Sequence, residues 1–170
     1  MVKTKSGKTT LRVLSLIMAL VAMLTSVSVG TNAFAANKTP VAAYAAVSKA
    51  YGSSFPLSTS NRISGRSVVL GVTTANCSSY YAAQRFANNN KEVYEIFICK
   101  AKSGKKGSIK SQLKKHIKNE KTSMNSYLSD KGKKLFKNYK VGTVGNYVYM
   151  VMIDTSKNKK AVKAIKDTLK

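Results

Sequence analysis

Acid is scarce in this sequence. Its 170 residues hold six aspartates and glutamates against thirty lysines and arginines, with one histidine and two cysteines. Each scarcity removes a class of function. The six acids are scattered. Only Glu92 and Glu95 lie close together, and their odd separation sends them to opposite faces of a strand. A paired-carboxylate catalytic centre is therefore not expected. With His116 as the single histidine, a metal site built on two imidazoles is excluded within one chain. No metal site and no cofactor are expected. Ser78 and Ser79 beside Cys77 lack the surrounding G-x-S-x-G frame, and H-E-x-x-H, P-loop and dinucleotide fingerprints are missing too. The sequence reads as a non-enzyme.

Arginine is scarce as well. After residue 35 there are twenty-three lysines but only Arg62, Arg66 and Arg85. Readers of bases and clamps of phosphate favour the planar fork of arginine, whereas lysine acts as a hydrated point charge. Diffuse attraction to polyanions is expected, and sequence-specific nucleic-acid recognition is not. The lysine excess has a second reading, a compositional bias of the genome.

Both cysteines, Cys77 and Cys99, lie in the same part of the chain. They are read either as a disulfide, adding about 3 kcal/mol by the chain-entropy estimate, or as two buried thiols packing as small hydrophobes.

What is present reads most clearly at the N-terminus. Lys3, Lys5, Lys8 and Arg12 precede an apolar run over residues 13–24, and Ala33-Phe34-Ala35 supplies a small-x-small cleavage pattern. Residues 1–35 are expected to be a signal peptide cleaved after Ala35, leaving one domain over residues 36–170. That domain carries 26 basic residues and 6 acids, a net of +20. The expected location is extracellular, by secretion, with cell-wall association as the finer expectation.

The elements follow from pattern. Pro40 and Gly52 bracket a small-residue helix. Thr74 is expected to cap a helix over "ANCSSYYAAQRF", broken by Asn88, Asn89 and Asn90. "EVYEIFIC", residues 92–99, is β-branched and aromatic, and predicts a strand. Ile109, Leu113, Ile117, Met124 and Leu128 fall within about 100° on a helical wheel, predicting a long amphipathic helix. Lys110 sits at the edge of that stripe, and Lys114, Lys115, Lys118 and Lys121 lie beyond it. After a break around Asp130 and Gly132, strands near residues 139–143 and 147–153 join through Gly145-Asn146 as a hairpin. A terminal helix then places Val162, Ile165 and Leu169 on one face. The expected fold class is α+β: a small antiparallel sheet of strand, long helix, hairpin and terminal helix, covered by helices.

The run from Glu95-Ile96-Phe97 into "KAKSGK", the lysine-rich helix ending near Tyr127, and "VGNYVYMVMID" with its terminal helix resemble a bacterial family called domain of unknown function 4358. The resemblance spans roughly residues 41–169. It implies an extracytoplasmic protein of mainly Gram-positive bacteria, and no established activity. Two departures stand out: His116 replaces a common arginine, and the lipid-anchoring cysteine of many members is missing.

Three local features remain. His116 and Glu120, at i and i+4, are read as an acid/base pair or as a salt bridge closing the core edge, with the bridge favoured. Tyr80-Tyr81 and Tyr147-x-Tyr149 are read as a stacking surface or, more commonly, as packed core. Lys110, Lys114, Lys115, Lys118 and Lys121 are the candidate binding face. Their expected partner is an anionic wall polymer or anionic lipid surface. The alternatives are an accessory envelope domain with a protein partner, and a non-specific extracellular nucleic-acid binder.

Overall fold

The computed structural model describes residues 38–170. The expected signal peptide and its cleavage after Ala35 lie outside the described residues. Helix α1 (Pro40–Tyr51) begins as predicted, with proline in its first turn and the Thr39 hydroxyl accepting from the Ala42 amide at 3.1 Å. Gly52 ends it at φ +100°, a conformation that favours glycine.

Residues 68–73 form a minimal hairpin, β1 (Val68–Val69) and β2 (Val72–Thr73). The expected helix after Thr74 is corrected to strand β3 (Cys77–Ala87). It pairs along its length with β4 (Glu92–Ala101) in antiparallel register, from Cys77 opposite Ala101 to Ala87 opposite Glu92. Asn88, Asn89 and Asn90 connect the two strands, all at positive φ. Asparagine is among the few L-residues that tolerate this region. They break no helix; they reverse a strand.

Helix α2 (Lys106–Met124) carries the predicted apolar stripe, with Ile109, Leu113, Ile117 and Met124 buried and Leu128 buried just beyond it. The break expected around Asp130 and Gly132 is also corrected. Residues Asp130–Asn138 form helix α3, capped by the Ser129 hydroxyl accepting from the Gly132 amide. Leu135 and Phe136 seat it in the core. Strands β5 (Lys140–Val144) and β6 (Tyr147–Met152) form the expected hairpin about Gly145. Helix α4 (Thr155–Leu169) closes the chain.

The main sheet runs β3-β4-β6-β5, antiparallel throughout. Helices α1 and α4 pack together over one face, where Tyr44 of α1 stacks on Tyr81 of β3 at 4.1 Å between ring centroids. Helix α2 lies on the other face, against β5, β6 and β2. The inner strands are therefore covered on both sides, which is why residues 93–99 are buried without interruption. The fold is α+β, as the sequence predicts.

Candidate functional site

Strand alternation decides what meets α2. On β4, Val93, Glu95, Phe97 and Cys99 point to one face, and Tyr94, Ile96 and Ile98 to the other. Glu95 thus sits beneath α2 on an inner strand, fully buried, opposite Gln84 of β3 and Met152 of β6. On α2, His116 and Glu120 flank the apolar stripe, so both reach the helix–sheet boundary.

The three acidic and imidazole groups converge. His116 Nε2 lies 3.0 and 3.1 Å from the two oxygens of Glu95 and 3.3 Å from Oε2 of Glu120. Gln84 ties the carboxylates together, its amide donating to Glu95 Oε1 at 2.6 Å and to Glu120 Oε1 at 3.1 Å. The side chains of His116 and Glu120 are 17% and 12% exposed. They form the floor of a cleft of about 500 Å³ lined also by Gly71, Gln112, Lys115, Asn119 and Ser123. Gly71, at φ +72°, brings the β1–β2 turn against the His116 ring.

Burial and mutual charge set the protonation of this cluster. Burial pushes the Glu120 carboxyl up, Glu95 adds to the rise, and together they outweigh His116 to reach about 8. For His116, burial pulls the imidazole down. The Glu95 hydrogen bond and the charges of Glu95 and Glu120 overcome that, and the net direction is up. Three buried side-chain oxygens among the described residues have no hydrogen-bond partner, and two of them belong to residues lining the cleft: Oε2 of Glu120 and Oε1 of Gln112.

The predicted i, i+4 contact between His116 and Glu120 is present, but the stronger partner of His116 is Glu95. Sequence reasoning missed Glu95 and Gln84. One signal pointed to Glu95: it is the charged residue between Val93 and Phe97 on a face that is otherwise apolar.

The candidate lysine face is where the helical wheel puts it. Lys114, Lys115, Lys118 and Lys121 are exposed, and Lys110 is half-buried. None of the five forms a salt bridge among the described residues. The tyrosines divide as packed core: Tyr147 and Tyr149 are buried, and Tyr80 stacks on Phe97 at 6.3 Å. Cys77 and Cys99, the residues of the alternative disulfide, stand as two buried free thiols in contact across neighbouring strands. That contact holds the Cys77 thiol below its usual range and pushes Cys99 up. Cys77 is thus a strand residue, where the sequence placed it on a helix.

A family model described as Domain of unknown function (DUF4358) matches residues 70–153. That span contains Gln84, Glu95, all of α2 and the hairpin of β5 and β6. No curated protein and no solved structure matches this chain.

Proposed function

We propose that this chain, which belongs to the DUF4358 family, is an exported, non-enzymatic protein of the bacterial envelope, held through its lysines on an anionic wall polymer such as teichoic acid. One observation carries the reading: the few acids are withdrawn from the surface charge. Glu95 and Glu120 enclose His116, and Glu92 and Asp154 both face Lys131. Asp167 is shared by Lys163 and Lys170. Asp130 alone lacks a salt bridge among the described residues. The remaining lysines are therefore uncompensated, on the outer face of α2 and again along α4, where Lys159, Lys160 and Lys166 are exposed.

Lysines spread over both helical layers suit a flexible polyanion better than a single shaped ligand. Association with such a polymer gains by displacing condensed counterions. Arginine geometry argues against base reading. Arg62 lies over the Tyr81 ring, 5.2 Å from its centroid, and Arg85 donates to the Pro56 carbonyl at 3.0 Å. Both forks are engaged internally.

The test is affinity for purified teichoic acid across a salt series, with duplex DNA in parallel. Wild type is compared with a variant carrying glutamine at Lys114, Lys115, Lys118 and Lys121. Affinity should fall steeply with salt, and the variant's log–log slope should be shallower by roughly 0.7 to 0.9 per lost phosphate contact. Equal slopes would remove this face from the function. Tighter binding to DNA than to wall polymer at matched salt would favour the nucleic-acid alternative.

A further inference from the structure

We propose that Glu95, His116 and Glu120 bind a single divalent transition-metal ion of the zinc class. The donor set is the first reason. One imidazole nitrogen and two carboxylate oxygens lie within 4.8 Å of one another, drawn from β4 and from two successive turns of α2. Imidazole with carboxylate suits zinc and its neighbours, whereas magnesium and calcium prefer oxygen alone.

Spacing is the second. Around zinc, bonds of about 2.0–2.2 Å to nitrogen and oxygen place adjacent tetrahedral ligands roughly 3.3 Å apart. His116 Nε2 stands 3.0 Å from one oxygen of Glu95 and 3.3 Å from Oε2 of Glu120. An ion can enter by replacing the proton on Nε2, with the two carboxylates, whose oxygens lie within 4.8 Å of each other, closing on it.

Electrostatics is the third. Two carboxylates buried together are costly unless cations or protons compensate them, and without an ion His116 is the one cationic side chain beside both. With neutral imidazole, a divalent ion brings the three-ligand cluster to zero net charge. Among the described residues, no lysine or arginine forms a salt bridge with Glu95 or Glu120.

The fourth reason is a pair of unmet oxygens. Glu120 Oε2 is buried without a hydrogen-bond donor, and one helical turn before His116 so is Gln112 Oε1, whose residue lines the same cleft. Buried polar atoms are nearly always satisfied, and an orphan calls for a partner such as an ion or water. An ion takes the Glu120 oxygen directly, and water in the cleft can donate to Gln112 Oε1. Gln84, donating to both carboxylates, orients the ligands from outside, as outer-shell groups do in metal sites.

The experiment uses tag-free protein stripped with a chelator and titrated with zinc. Because His116 is the only histidine, its imidazole proton resonances report on the site without ambiguity. They should shift and saturate at one equivalent. Magnesium and calcium should leave them in place. In competition with a chromophoric chelator, His116→Gln and Glu120→Gln should each weaken zinc binding by about 100-fold or more, given that outer-shell changes alone cost 10- to 100-fold. An imidazole spectrum unmoved by excess zinc overturns the proposal. So does uptake that both folded variants retain, which would assign it to surface groups.

Discussion

Glu95 on β4 and His116 on α2 meet across the sheet–helix boundary, with Nε2 within 3.1 Å of both carboxylate oxygens. The contact joins an inner strand to the helix that displays the lysine face. A carboxylate with no exposure stays buried only if its charge is met. His116 and Gln84 meet it from two different elements. The pair therefore fixes how α2 is rotated on the sheet, which decides which lysines face outward.

His116→Leu should be strongly destabilising, by about 3–5 kcal/mol, because it leaves Glu95 buried without its cation. Replacing both residues, Glu95→Met with His116→Leu, should restore much of the loss, since a well-packed apolar pair needs no compensation. Urea melts of the two single variants and the double variant give the coupling directly. Additive losses would mean that the contact has no special energetic role.

The pH dependence of the chelator-treated protein has a defined sign. Folding raises Glu120 from 4.5 to about 8, so the native state favours its protonated form. Stability is lost as pH rises from the lower value through the higher. His116 is also raised; its contribution is present below 6.5 and lost as pH climbs past the folded value. Both groups face Glu95 from β4, with Gln84 from β3 neutral and Lys115 on the rim of the cleft. Urea midpoints should therefore fall between about pH 5 and about pH 9, and Glu120→Gln should show a smaller fall over the same range. A midpoint that rises equally in both proteins would contradict this assignment.

Some of this was legible from the chain and some was not, for physical reasons. The α2 stripe from Ile109 to Met124 could be read because one face is wet and one dry, which leaves a 3.6-residue period. Strand β3 has no such contrast. Tyr80 packs on Phe97 beneath one face and Tyr81 on Tyr44 beneath the other, so the alternation that marks a strand is erased. Its strand state comes from pairing with β4, which local propensity does not encode. Helix α3 was hidden by Gly132, which reads as a breaker unless the close approach of another backbone is known. His116 and Glu120 were visible as neighbours four residues apart. Their partners lie far off in sequence, Glu95 21 residues before His116 and Gln84 36 before Glu120, and only the register of β3, β4 and α2 brings them together.

That close approach gives the last prediction, one substitution with opposite signs on two helices. At Gly132 in α3, an added Cβ would fall 2.2 Å from the carbonyl oxygen of Lys91. The same carbonyl already accepts from the Ser129 amide at 3.1 Å and its hydroxyl at 3.3 Å. It is therefore pinned and cannot yield, so α3 must lift from the β3–β4 turn. Gly132→Ala should cost about 1–3 kcal/mol, the range for overpacking a fitted contact. Gly107, in the first turn of α2, has nothing within 4 Å of the same added atom. There alanine removes only unfolded-state entropy, and Gly107→Ala should stabilise by about 0.4–1 kcal/mol. The two variants should move the urea midpoint in opposite directions from wild type. If Gly132→Ala is neutral, α3 does not dock on Lys91 as described.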